Sequence, residues 1–301
     1  MQRSGTPSIN IHYFTEGHRP STWLWDQSEG RRRLKAVADW LGANAPHIEF
    51  WSGNPEVMKL LDWRVTGESI LPRVPFSTTQ LQAIFMAPLY TGCRDDGLGY
   101  ATPGPERPRN ARFWIPLLSM FGGLRLNEAC QLDVADIRRI DDVDCFVITE
   151  RSEDDQTDKR LKTSSSERVV PIHAMLIDLS FMEFVRQRKR AGETKLFGEV
   201  PMGATGYRSS TFSAWFRRFV AKAGADSPKT CFHSFRHGFR DALREARIDR
   251  DIALALGGWT TASGAASVSD AYGSGYRIAT LKEAIDRVRY TGLDLSHLYE
   301  Q

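Results

Sequence analysis

Arg125 and Arg236 carry planar guanidinium forks that stay charged at physiological pH, and each stands among other reactive side chains. Arg125 lies in Gly123-Leu124-Arg125-Leu126-Asn127-Glu128, and Arg236 closes His233-Ser234-Phe235-Arg236. A phosphodiester presents two non-bridging oxygens that gain negative charge during an in-line displacement, and two such forks can clamp it as lysine cannot. The plainer reading of either arginine is an ion pair, since Glu128 follows Arg125 by one helical turn. A tyrosine could attack the phosphorus, but a phenol of free pKa about 10 needs a base or nearby cations. Tyr272, in Asp270-Ala271-Tyr272-Gly273, and Tyr276 are available, with Tyr290 and Tyr299 as weaker choices and His233 as the base. The expelled alkoxide needs a proton, which Lys162 or Lys159 could supply, because neighbouring arginines lower the pKa of an ammonium.

Leu256-Gly257-Gly258-Trp259 adds an indole N–H that could bind a phosphate oxygen but not shuttle a proton, and a large core side chain is its plainer reading. His233 and His237 stand at the i, i+4 spacing of zinc ligands in H-E-x-x-H helices. Ser234 fills the place of the glutamate, and Arg236 would repel a cation, so no metal is expected.

With Lys162-Thr163 ahead of Arg168-Val169-Val170-Pro171-Ile172, the chain holds five such patterns in a fixed order. That order resembles the tyrosine recombinases, or phage integrase family, from about Pro75 to near the C-terminus. The resemblance implies a mainly α fold with a small antiparallel β-sheet, the tyrosine recombinase catalytic fold, preceded by a small helical segment. It favours Tyr272 as the attacking residue, the first tyrosine after Gly-Gly-Trp, and Lys162 as the general acid. Arg125, His233, Arg236 and Trp259 complete the catalytic set, and Glu128 becomes the acidic partner that holds an arginine in place. Trp259 matches the version of the motif that carries tryptophan where many members carry histidine.

The implied activity is site-specific recombination of double-stranded DNA through a 3′-phosphotyrosyl link and a free 5′-hydroxyl, with neither a nucleotide cofactor nor a metal. A homo-tetramer on paired sites is the implied assembly, with accessory DNA-bending proteins as further partners. A type IB topoisomerase would use the same residues, and a non-cutting DNA-binding regulator could keep the same fold; the whole pattern favours the integrase reading. The alternating leucines of Leu293-Asp294-Leu295-Ser296-His297-Leu298 could fold back on their own domain. Family resemblance instead favours docking of this tail on a neighbouring protomer.

Several elements must position these groups. Ser77-Thr78-Thr79-Gln80 reads as a capping box opening a helix with Leu81, Ile84 and Phe85 on its buried face. A polar loop from Gly92 to Arg109 precedes an apolar helix from Phe113 to Phe121, kinked at Pro116, and a short helix from Leu126 to Leu132. Cys145–Ile148 and Arg168–Ile172 are β-type runs that predict a small antiparallel sheet. Phe212, Trp215, Phe216, Phe219 and Val220 mark one later helix, and Phe235, Phe239 and Leu243 another that begins near His233. Ile252–Leu256 and Ile278–Val288 complete the set.

Upstream, Arg31–Leu41 and Glu56–Trp63 have helical periodicity, and the Pro-containing stretch Thr66–Pro75 reads as a linker. Residues 1–74 are therefore expected to form a helical segment, which the resemblance makes a partial or divergent core DNA-binding domain, and residues 75–301 the catalytic domain.

A length of 301 residues suits two domains, and 41% hydrophobic with 26% charged residues excludes a disordered or collagen-like chain. The net charge of +3 decides nothing about nucleic acid, so local clusters such as Arg186-Gln187-Arg188-Lys189-Arg190 and Arg217-Arg218 matter more. Cys93, Cys130, Cys145 and Cys231 are scattered without a Cys-x-x-Cys pair, as in a reduced compartment. No apolar run reaches the length of a membrane span and no apolar signal opens the chain, which leads to a cytoplasmic expectation.

Overall fold

The computed structural model describes residues 73–152, 158–161, 166–259 and 275–299. The helices expected at Arg31–Leu41 and Glu56–Trp63 lie outside these residues, as do Lys162 and Tyr272. Helix α1 (Thr78–Phe85) begins as its capping box requires. The Ser77 hydroxyl accepts from the Gln80 amide at 3.2 Å, and Gln80 Oε1 accepts from the Ser77 amide at 3.0 Å. A one-turn helix α2 (Pro88–Thr91) follows, with proline at its start where no amide is needed.

Helix α3 (Ala111–Gly122) is apolar on almost every side and lies at the centre of the core, with Trp114, Ile115, Leu117 and Leu118 fully buried. Pro116 sits inside it and has no amide to offer the carbonyl four residues back. The Tyr90 hydroxyl donates to that Arg112 carbonyl at 3.3 Å and to the Phe113 carbonyl at 3.2 Å. Burial in turn raises the phenol's pKa well above its ordinary value.

Helix α4 (Leu126–Cys130) stops two residues before the expected end. A 3₁₀ turn at Val134–Asp136 then leads into three antiparallel strands, β1 (Ile137–Ile140), β2 (Val143–Ile148) and β3 (Arg168–Pro171), in the order β1-β2-β3. Ile140 pairs with Val143 across a two-residue turn, in which Asp141 and Asp142 both have positive φ, at 48° and 62°. This is the conformation that twists correctly between hairpin strands. Strand β1 was not expected: it pairs on one side only, and its two central arginines are exposed, so it lacks the alternation that marks a half-buried strand.

Helices α5 (Ala174–Asp178) and α6 (Phe181–Arg190) also went unassigned in the sequence. Phe181, Phe184 and Val185 bury one side of α6, while Arg186 and Arg190 both pair with Glu183. Helices α7 (Arg208–Lys222) and α8 (Ser234–Glu245) follow with the expected buried residues, and α9 (Arg250–Gly257) contains the expected run Ile252–Leu256, of which Leu256 is buried. Helix α10 (Ile278–Ile285) ends three residues earlier than its apolar period suggested. Among the described residues, no helix is long and apolar enough to cross a membrane.

The tail corrects the expectation that it docks on a neighbour. Leu295 and Leu298 are buried within their own unit, and Asp294 and Gln82 of α1 exchange two hydrogen bonds, at 2.9 and 3.0 Å. A His297 ring nitrogen lies 2.9 Å from the Phe85 carbonyl, and Arg109 donates to the Leu298 carbonyl at 2.8 Å. Covering leucines locally removes apolar area from water without a second chain, so the tail folds back.

Candidate active site

Arg125 occupies the N-cap of α4, and extended backbone there turns its side chain back over the first helical turn. Its amide donates to Glu128 Oε2 at 2.8 Å, and its Nη1 donates to Glu128 Oε1 at 2.5 Å. The plain ion pair of the sequence reading therefore exists, but Glu128 has a second cation. Arg168, the first residue of β3, places Nη1 at 3.2 Å from Oε1 and Nη2 at 2.8 Å from Oε2. Arg168 is further held by the carbonyls of Leu256, at 3.0 Å, and Ser166, at 2.9 Å.

Burial pushes the Glu128 carboxyl up, but Arg168 and then Arg125 outweigh it and hold the group down to about 2. A carboxylate that is only 3% exposed is thus kept ionised by two guanidiniums. The sequence motif that contains Arg168 does not by itself assign it a role. Its residue type was the one local signal, since an arginine at the head of a short β run is costly to bury unless it is paired.

Arg236 enters from α8, one residue past Phe235 on the face that packs against α3, and is only 2% exposed. Its terminal nitrogens donate to the carbonyls of Gly123 and Gly257. Arg125 Nη2 donates to the Gly258 carbonyl at 3.0 Å. These carbonyls close the C-termini of α3 and α9, where unpaired oxygens and the negative end of the helix dipole favour a cation. Both turns need glycine. Gly123 has φ +65°, and a Cβ there would come within 2.4 Å of the Phe239 ring; Gly258 has φ +58° and lies against Arg168.

Trp259 lies with its ring 4.6 Å from the Arg236 guanidinium and 5.2 Å from that of Arg240, within cation–π range. Its face therefore steadies Arg236, a contact that a donor reading of the indole N–H does not foresee. Gly257 lets the ring approach so closely that a Cβ would fall 2.0 Å from it.

Burial pushes the Arg236 pKa down to about 9, helped by the charges of Arg125 and Arg168. No carboxylate pairs with Arg236 among the described residues: Glu128 is shared by Arg125 and Arg168, and the third guanidinium rests on carbonyls. Such a cluster lacks an anion.

His233 caps α8 at an exposed position, with its ring 4.9 Å from that of His237 and nearly perpendicular to it. Arg125, Glu128, Arg236 and Trp259 are brought together, whereas Lys162 and Tyr272 lie outside the described residues. The alternatives fare differently. The Lys159 ammonium is buried, 2.6 Å from Asp133 and 2.6 Å from Asp136, and is committed there. The Tyr290 hydroxyl donates to the Met120 carbonyl at 2.6 Å, with its pKa raised by burial, and the Tyr299 hydroxyl reaches Met175 Sδ at 2.8 Å. Tyr276 is 41% exposed. Among the described residues, no group of histidine, cysteine and carboxylate side chains could hold a metal ion.

The model of the Phage integrase family matches residues 107–267, a span that includes Arg125, Arg168, Arg236 and Trp259. An integrase from mycobacterium phage Brujita aligns over 92% of this chain and 94% of its own, at 18% identity and a TM-score of 0.43. No curated protein matches the chain.

Proposed function

The chain belongs to the phage integrase family of site-specific recombinases, and from that premise we propose that it cuts and rejoins double-stranded DNA through a covalent tyrosine link. The observation that carries this reading is the imbalance of charge: Arg125, Arg168 and Arg236 gather around one carboxylate. A phosphodiester would supply the missing anion. Arg125 is the more exposed of the two clamp arginines and meets the non-bridging oxygens, while Arg236 adds its charge from beneath. Glu128, Ser166 and the Gly258 carbonyl hold Arg125 in one place, so little reorganisation is needed as charge develops.

In the reaction, Tyr272 Oη bonds to phosphorus and the bond from phosphorus to the 5′ oxygen breaks. The phenol proton passes to a base, for which His233 is the candidate, and Lys162 protonates the departing oxygen. The 3′-phosphotyrosyl link conserves the bond, so a 5′-hydroxyl from another duplex reverses the step without a nucleotide cofactor or a metal. Exchange between two duplexes calls for four protomers on paired sites, with the segment before residue 75 on DNA as a second domain.

A nicked suicide duplex tests the reading, because loss of the short cut product traps the covalent complex. Duplexes from DNA flanking the coding sequence should yield a protein–DNA adduct on a denaturing gel, unaffected by EDTA and lost in Tyr272→Phe. An adduct that persists in Tyr272→Phe transfers the role to Tyr276. Relaxation of supercoils without strand exchange would favour a topoisomerase, and binding without any adduct a regulator.

A further inference from the structure

The segment just before Lys162 is fixed at every residue from 158 to 161, and its fixings lead back to the arginine site. Asp158 pairs with Lys195 at 2.8 Å and Arg208 at 3.2 Å. The buried Lys159 ammonium lies between Asp133 and Asp136, 2.6 Å from each, and donates to the Arg151 carbonyl at 3.1 Å. The Arg160 carbonyl accepts from Asn127 Nδ2 at 3.0 Å, and the Leu161 amide donates to Glu150 Oε1 at 2.6 Å. Asn127 stands on α4, between Arg125 and Glu128. On the other side of the lysine, Ser166 Oγ accepts from Arg125 Nη1 at 3.2 Å. Both flanks of the four residues 162–165 are therefore tied to the helix that carries the phosphate clamp.

A buried lysine held by two carboxylates is an expensive anchor, since each ion loses its hydration, and solvated polar residues would join two strands at lower cost. The arrangement makes sense if the next residues must stay in register with the clamp. We infer that Lys159, through Asp133 and Asp136, and Asn127, through the Arg160 carbonyl, are positioning residues that aim the Lys162 general acid at the leaving oxygen. Neither touches the reacting atoms. The inference rests on the proposed role of Lys162: a proton moves from its Nζ to the 5′ oxygen as the phosphorus–oxygen bond breaks. General acids of this kind contribute about 100-fold or more, and misalignment forfeits part of that.

The test replaces the 5′ bridging oxygen of the nicked suicide duplex with sulfur. A thiolate leaves without being protonated, so cleavage of the sulfur substrate needs no acid. In the full chain, Asn127→Ala and Lys159→Met should slow cleavage of the oxygen duplex by about tenfold or more, yet cut the sulfur duplex at close to the parental rate. Lys162→Ala is the reference and should show the same selective rescue. Because Lys159→Met leaves two buried carboxylates and could unfold the chain, the partly exposed Asn127→Ala variant carries the decision. Equal slowing of both substrates in Asn127→Ala, or no slowing of either, with Lys162→Ala selectively rescued, overturns the positioning role alone. Failure of the sulfur duplex to rescue Lys162→Ala overturns the acid assignment and the positioning role with it.

Discussion

Arg168 sets both terminal nitrogens on the Glu128 carboxylate, 3.2 Å from Oε1 and 2.8 Å from Oε2, and so occupies most of the acid that Arg125 also uses. The consequence is electrostatic. One negative charge is divided between two cations, and the third, Arg236, is left to carbonyls and the face of an aromatic ring.

Arg236→Lys tests how much the planar fork matters. Lysine keeps the charge, but one ammonium cannot span the carbonyls of Gly123 and Gly257 while lying flat on Trp259. Cleavage of the suicide duplex should fall by about 100-fold or more, the usual cost of removing one preorganised donor, with DNA binding changed far less. Single-turnover rates at saturating protein separate the two effects.

Glu128→Gln should cost about 3 kcal/mol, because it strands Arg168 and Arg125 without their counter-charge. The sign of the pH dependence follows from the lowered pKa. With the folded carboxyl held at about 2 against an ordinary 4.5, its contribution is complete above pH 4.5 and is lost as pH falls toward 2. Urea unfolding of the parent chain should weaken through that window, and the Gln variant should show less of the decline.

His173 governs a separate window. Its Nδ1 accepts the Met175 amide at 2.9 Å as the N-cap of α5, so Nε2 carries the proton it gives to the Val288 carbonyl at 3.1 Å. Burial pushes its pKa from 6.5 down to about 4, so the unfolded chain binds the proton first. Stability should decline as pH drops from 6.5 to 4. His173→Asn keeps a capping oxygen and does not titrate, so its unfolding free energy should show less of that decline.

Cutting the chain after Gly292 should destabilise the unit itself. Leu295 and Leu298 are buried at 6% and 0% exposure, and losing each removes about 1.5 to 3 kcal/mol of apolar burial. Calorimetry should show a clearly lower Tm in the absence of DNA. An unchanged Tm would mean that the tail contributes nothing to its own core.

Wherever one element carried a strong local signal, it could be read from the sequence. The capping box at Ser77, the apolar run around Trp114 and the stripe from Phe212 to Val220 each state their structure within a few residues. Helix α6 was hidden because its charged face, ending in Arg186 to Arg190, looks like a basic patch until Glu183 pairs with two of those arginines. The site divides in the same way. Arg125, Glu128, Arg236 and Trp259 were recognisable from the order of their motifs, whereas the link between Arg168 and Glu128 spans 40 positions and no local spacing encodes it. The tail was misjudged for a related reason: exposed leucines and leucines folded back on α1 read alike until Gln82 and Asp294 meet.

Arg236 leans on main-chain oxygen, and Arg125 adds one such oxygen to its bonds with Glu128 and Ser166. Gly123, Gly257 and Gly258 contribute their carbonyls through the path of the chain rather than through a side chain. Mutational vulnerability is therefore narrow. Replacing any of the three would shift these oxygens: one added methyl at Gly123 would fall 2.4 Å from the Phe239 ring and one at Gly257 2.0 Å from the Trp259 ring, and Gly258 has a positive φ against Arg168. The geometry of the arginine cluster is stored in the shape of two helix ends, and the glycines that allow that shape are the residues that keep it.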